Sequence, residues 1–326
     1  MKRRELLILG AGAVLAPRLA LAKSRVPRVG YLLLPPLSEP PSRERQAFLD
    51  GLRDHGYVPG KNIELVYRSA ENEPEFLEAQ CQELVRQKVD LIATSGAAGT
   101  IAARNTTRTI PIVFLAVGDP VGIGIVASLA RPGENVTGVS FSSSDLAGKR
   151  IELIRETVPA AKRVAFLWEE RNRNAQIEAQ AAIAAARRIG MIPGPLPLAT
   201  HADLTTVMQR IAARKPDALY VTFATGIVAD NRSAIAEFAL RHRLPLMSGW
   251  GFMTDAGGLL SYAPDIPLIF RRGAYYVDRI LKGTRASELP VEQPTRVELA
   301  VNLKTAKAIG LTIPRTLLLR ADRVIE

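Results

Sequence analysis

The chain has 326 residues, 47% of them hydrophobic and 23% charged, and carries a formal net charge of +11. That length accommodates two modest domains, and that balance excludes a disordered or low-complexity chain. A single cysteine excludes an intramolecular disulfide, and past the N-terminal segment no apolar run reaches the ~20 residues that a membrane helix needs.

Lys2, Arg3 and Arg4 precede an apolar run from Leu6 to Ala16, and Ala20-Leu21-Ala22 offers a small-residue cleavage site before Lys23. This order reads as a signal peptide over residues 1–22 and implies export to the periplasm. The adjacent Arg3 and Arg4 also suit a twin-arginine signal. Taking that segment's four cations and one anion from 43 basic and 32 acidic residues leaves +8. The remaining basic residues are scattered, without interleaved aromatics or a nucleic-acid motif, so nucleic acid is not an expected partner. The charge would still steer an anionic ligand.

From Arg28 onward, short β-branched runs alternate with longer amphipathic stretches. The predicted order is a strand over 29–34 stopped by Pro35-Pro36, a helix from about Ser42 to His55, a strand over 63–67, a helix over 74–88, a strand over 91–93, a helix over 98–105 and a strand over 112–115. After Gly138 the rhythm restarts. A helix capped by Ser144 or Asp145 runs to Thr157, followed by a strand over 164–168, an alanine-rich helix over 174–189 and a weak strand near Leu196. A helix over 204–213, a strand over 218–221 and a helix over 231–241 complete this half. Such alternation predicts parallel sheets with helices on both faces. A strand over 259–262, a long helix over 266–282, an extended stretch at 296–299 and a short helix over 303–309 close the chain. This last portion fits either the tail of the second unit or a crossing back to the first lobe and a return.

No catalytic constellation stands out. His55 and His242 fall at helix C-termini, and no metal spacing, P-loop or nucleophile motif occurs, so no cofactor and no metal are expected. Cys81 reads as a small core residue on its helix. Gly122-Ile123-Gly124 reads as a turn starting a helix, with Asp119 in a loop at the C-terminal edge of the sheet. Thr94, Ser95, Gly96 and Ala97 join a buried strand to a helix start; they form either an ordinary cap or a site where hydroxyls and free N–H groups meet an anion. Trp168 to Asn174 with Asn172 within it, Phe223 to Ile227 with Thr225 within it, and Ser248-Gly249-Trp250 lie at further strand ends that would face the same crevice. There an aromatic serves as a ligand platform or merely covers the sheet edge.

Several stretches resemble the ABC-transporter substrate-binding family whose characterised relatives bind aromatic amino acids. They are GLRDHGY at 51–57, PIVFLAVGDPVG at 111–122, SLARPGENVTG at 128–138, AGKRIELI at 147–154, RGAYYVDRILKG at 272–283, LPVEQPT at 289–295 and NLKTAKAIGLTIP at 302–314. The resemblance implies an α/β type I periplasmic-binding fold: two Rossmann-like lobes with parallel sheets, joined by a three-crossing hinge, with the ligand between them. The implied lobes are residues 26–139 with 264–290, and 140–263 with 291–326. Leu34 and Pro35 after the first strand, Thr94 to Ala97, Asp119, the loop after Trp168 and Tyr262 are then expected to line the cleft. With no catalytic role expected, the implied partners are a small-molecule ligand of an aromatic or carboxylate-bearing kind, and an ABC permease with its ATPase, for a protein acting as a monomer. Two alternatives share this fold: a ligand-sensing subunit of a membrane receptor, and a cleft enzyme with Asp119, Asp145 and Glu169 as its acid–base candidates.

Overall fold

The computed structural model describes residues 25–223 and 226–326. The signal-peptide segment and Thr225 therefore lie outside the described residues. The first unit runs β1 (Arg28–Leu33), α1 (Arg43–Asp54), β2 (Glu64–Ser69), α2 (Leu77–Arg86), β3 (Leu91–Ser95), α3 (Gly96–Thr106), β4 (Ile112–Val117) and β5 (Val136–Ser140). Its five strands are parallel, in the order β2-β1-β3-β4-β5. Alternation along β1 decides the layers: Val29, Tyr31 and Leu33 pack with Phe48 and Leu52 of α1, while Leu32 joins Leu77, Cys81 and Leu84 of α2 on the other face. Strand β5 was not expected from sequence, because Gly138 interrupts it. At φ +153 this glycine lies where a Cβ would overlap the Phe114 backbone, so the residue that weakens the sequence pattern is what lets β5 approach β4.

The second unit runs α4 (Ser143–Thr157), β6 (Arg163–Glu169), α5 (Arg173–Arg188), β7 (Ile192–Leu198), α6 (Leu204–Arg214), β8 (Ala218–Val221), α7 (Ile227–Asp230), α8 (Arg232–Arg241), β9 (Leu246–Ser248), α9 (Gly251–Asp255) and β10 (Leu260–Pro264). Helix α4 is entered through Ser142 in a left-handed conformation without a side-chain cap, so Ser144 and Asp145 sit in the first turn rather than capping it. In the seven-stranded sheet, β7-β6-β8-β9-β10 repeats the 2-1-3-4-5 order of the first sheet. Edge strand β7 carries Pro193, Pro195 and Pro197 at alternate positions and pairs with β6 on its other side.

The chain then returns. Helix α10 (Ile266–Leu281) leaves the second sheet and packs on α1 and on strands β3, β4 and β5. Five large apolar side chains (Ile266, Ile269, Phe270, Val277 and Ile280) go into the first core. At ~1.5–3 kcal/mol each, their burial amounts to roughly 10 kcal/mol before the cost of ordering the helix. Residues 289–293 run beside β5, with the Ser140 N–H donating to the Glu292 carbonyl at 2.8 Å. The chain crosses again into β11 (Val297–Asn302), antiparallel to β10, then forms α11 (Leu303–Ile309), α12 (Arg315–Leu318) and β12 (Arg323–Ile325). Three crossings result, near residues 141, 265 and 294. Gln293 Nε2 ties the third to the first by donating to Ser142 Oγ at 2.8 Å and to Asp145 Oδ2 at 3.2 Å.

The α1–α10 contact depends on Gly51, whose missing Cβ would press on the Arg271 carbonyl and the Ala274 methyl. Gly51→Ala sets a helix-propensity gain of about 1 kcal/mol against a clash with backbone that cannot step aside. The clash should win, with a net loss of about 1–2 kcal/mol read as a lower urea midpoint. A midpoint at or above the parent's would show that these helices are not pressed together here.

Candidate functional site at the facing rims

In a 2-1-3-4-5 sheet the crevice forms outside the C-terminal ends of strands 1 and 3, where the order reverses. In the first unit those ends carry Leu34-Pro35 and Ser95-Gly96. In the second they carry Glu169-Glu170 and Thr222-Phe223, while Asp119 and Trp250 follow the fourth strand of each order and Tyr262 lies within β10. Their side chains divide sharply in availability.

The Thr94 hydroxyl is not presented to the crevice. It is fully buried, donates to the Leu32 carbonyl at 3.1 Å and lies against Gly99. Helix α3 begins two residues earlier than expected, at Gly96, whose φ of +72 makes the tight entry. Ser95 at the N-cap makes no side-chain cap bond, leaving its hydroxyl and the first N–H groups of α3 at the rim. Asp119 caps its own turn: Oδ1 accepts from the Gly122 N–H at 2.8 Å, and no helix follows, correcting the expected helix start. Its other contacts join the two units. The Asp119 N–H donates to Asn174 Oδ1 of α5 at 3.2 Å, and Ser144 Oγ of α4 donates to Asp119 Oδ2 at 3.4 Å.

Leu34 is half-buried and Pro35 exposed, with Ser69 Oγ donating to the Pro35 carbonyl. Asn172 is committed to capping α5 by accepting from the Ala175 N–H at 3.2 Å. Trp168 and Tyr262 are half-buried against the second core. Phe223 and Trp250 are the residues the fold brings together. Their rings stack at 4.1 Å and 12°, and Phe223 also meets Phe141, in the first crossing, at 4.0 Å. Phe223 belongs to the core cluster of the first unit and Trp250 packs against it, although both follow strands of the second. Trp250 continues the row to Phe252 at 4.0 Å. Such pairs add about 0.5–1.5 kcal/mol each beyond the area they bury.

Sequence reasoning missed Phe141 and a buried polar network. Arg150 and Glu178 form an ion pair at 3.0 Å with both side chains essentially inaccessible, and Tyr220 donates to Glu178 Oε1 at 2.8 Å. Their signal was present: Arg150 stands on the same face of its helix as Ala147 and Ile154, and Glu178 on that of Ala175 and Ala182. A charge on an apolar stripe needs a buried partner. Burial pushes the Glu178 carboxyl up, opposed by Arg150. Glu169, at the rim, is buried too. Its Oε1 accepts from the N–H groups of Val228 at 2.7 Å and Gly226 at 3.2 Å, pinning the start of α7 to the end of β6. Burial is the largest influence on its carboxyl and raises it above the ordinary glutamate range. Among the described residues no three His, Cys, Asp or Glu side chains gather as a metal site, and no helix is long and apolar enough to cross a membrane.

With this geometry in hand, comparison with known proteins is specific. The family model described as ABC transporter substrate binding protein matches residues 37–325. A tyrosine-binding protein of Clostridioides difficile is 26% identical over 278 residues, covering 84% of this chain and 79% of that protein. Among solved structures, an ABC domain in complex with L-Trp from Streptococcus pneumonia is 23% identical with a TM-score of 0.85, covering 92% of this chain and 100% of that one. The ligand-free, open structure of a substrate binding protein with adhesive properties from Clostridium difficile is 25% identical with a TM-score of 0.69, covering 92% and 99%.

The raised Glu169 carboxyl has a consequence for stability. A carboxyl whose folded pKa lies above its unfolded one contributes stability below the unfolded value and loses it as pH rises through the folded value. The stability of the parent relative to Glu169→Gln should therefore improve as pH is lowered from 7 through the ordinary carboxylate range near ~4.5. Matched urea titrations would show it. A difference that is flat with pH, or that moves the other way, would place Glu169 in a far wetter setting.

Proposed function

Because the chain belongs to the ABC transporter substrate-binding protein family, whose members capture a small molecule outside the cytoplasm for an ABC permease, we propose that it binds an aromatic, carboxylate-bearing metabolite between its lobes. The observation that carries this is the Phe223–Trp250 stack, which starts on the second sheet and ends on Phe141 in the hinge. A planar ring entering between the rims meets the half-buried Trp250 of this row, and the N-terminus of α3 at Gly96 supplies N–H groups for an acidic head. The relatives named for tyrosine and L-Trp support the ring, and the net positive charge supports the acid.

In this reading the lobes divide at the three crossings, near residues 141, 265 and 294, so the third boundary falls a few residues past the expected 290. Leu34, Pro35, Ser95, Gly96, Ala97, Asp119, Trp168, Asn172, Phe223, Trp250 and Tyr262 surround the ligand, with Thr94 supporting them from beneath. The protein works as a monomer without catalysis, exported by the signal peptide of residues 1–22. Ligand drives closure only by touching both lobes, since a ligand with equal affinity for open and closed forms shifts nothing. The lobe arrangement described here is taken as the closed one. In support, the TM-score is 0.85 to the L-Trp complex and 0.69 to the ligand-free open structure. The Asp119–Asn174 and Asp119–Ser144 contacts are then closed-state bonds between lobes.

L-Tyrosine, L-tryptophan and simple aryl carboxylic acids should raise the melting temperature, by the equivalent of about 2.7 kcal/mol at a hundred-fold excess over Kd. Phe223→Ala or Trp250→Ala should weaken binding by about ten-fold or more in calorimetric titrations. If amino acids, aromatic acids, nucleosides and sugars all leave the melting curve unmoved, the proposal fails.

A further inference from the structure

We propose that Arg150 is a positioning residue, through which the loops that present Phe223 and Trp250 are held in register with two of the three hinge crossings. This rests on the ligand-binding reading of the cleft. The guanidinium is fully buried, and its bonds reach the first residue of its own helix and a strand 112 residues away. Nη1 donates to the Ser143 carbonyl at 3.1 Å, just after the first crossing, and Nε donates to the Tyr262 carbonyl at 2.8 Å, just before the second. Nη1 also donates to Glu178 Oε1 at 3.0 Å, and the other carboxylate oxygen of Glu178 accepts the Phe223 N–H at 3.0 Å. Tyr220 completes the node by donating to Glu178 Oε1 at 2.8 Å.

The loop carrying Trp250 is referenced to the same group by packing. A Cβ at Gly249 would stand 2.8 Å from Glu178 Oε1 and 3.0 Å from Arg150 Cζ, so only a residue without a side chain lets the backbone lie directly on the ion pair. Phe223 and Trp250, stacked on each other, are thus set by one guanidinium, and the end of their row is Phe141 in the first crossing. A ligand that shifts the stack pulls on the Phe223 N–H, on Glu178, and through Arg150 on the chain at Ser143 and Tyr262. The hinge and the site share one planar group whose donors have fixed directions, which an ammonium cannot reproduce. Stability does not require it. A buried ion pair replaced by apolar side chains of similar volume is often neutral or better, whereas removing one partner leaves an uncompensated buried charge.

The test uses the mature protein without ligand first. Arg150→Met with Glu178→Leu removes both charges together and should fold. Exchange of the Phe223 amide should rise about ten-fold or more, the loss expected for one charge-assisted hydrogen bond. Trp250 emission in a Trp168→Phe background should shift to the red, and small-angle scattering should report a larger radius of gyration as the hinge ends loosen. L-Tyrosine affinity, measured by calorimetry, should fall about ten-fold with heat capacity of unfolding unchanged. Arg150→Lys should show the same three ligand-free changes in smaller degree, and it decides the matter if the double variant does not fold. Phe223 exchange, Trp250 emission and radius all matching the parent would overturn the proposal. Failure of the parent to bind L-tyrosine or any aryl acid would instead count against the ligand class, leaving the ligand-free measurements to judge the positioning role.

Discussion

The docking of α10 against α1 and the first sheet is the constraint on which the remaining architecture depends. Two parallel sheets in tandem would otherwise be beads joined by one strand of chain. Because α10 leaves the second sheet at Pro264 and buries its apolar face among Phe48, Leu115 and Phe141, the polypeptide must cross three times. Three connectors restrict how the lobes can move against one another more than a single one would. The absent side chain at Gly51 and the absent side chain at Gly273, where a Cβ would run into Leu115, set how closely that helix can lie.

A division of labour follows between residues that shape the cleft and residues that face it. Much of the polar chemistry at the rims is spent internally: Thr94 on Leu32, Asn172 on Ala175, Glu169 on the start of α7 and one Asp119 oxygen on Gly122. What stays uncommitted is the exposed part of Trp250 and the N-terminal N–H groups of α3. That distribution matches the general character of small-molecule sites, which are mostly apolar walls with a few placed polar groups.

Most of the fold was legible because periodicity is a local property. The long helix over 266–281, the short one over 303–309 and the strand–helix alternation follow from spacing alone. What spacing could not convey was where α10 packs, since a helix written with one apolar face says nothing about which sheet receives it. Strand β5 was hidden by Gly138, and α7 and α9, four and five residues long, are too short to show a period. The rim positions were readable from strand ends, but the state of each side chain was not: the hydroxyl of Thr94 is buried and donates to the Leu32 carbonyl of the neighbouring strand, whereas the next residue, Ser95, is partly exposed. Arg150 and Glu178 were readable in principle as charges on apolar stripes. Reading each helix separately could not reveal that they answer one another across 28 residues of sequence.

The edge strand β7 closes off a hazard that comes with an open sheet. Its sequence alternates Ile, Gly, Leu and Leu with three prolines, and the Ile192 N–H points inward to the Lys162 carbonyl. By the two-residue period of a strand, Pro193, Pro195 and Pro197 occupy the outward-bonding positions, where they have no proton to give. The outer flank of the larger sheet therefore shows carbonyls but a gap in every place where a donor would stand. A stray strand from another molecule finds half its ladder missing there, so crowding of many copies in a confined compartment need not end in sheet-on-sheet polymer growth.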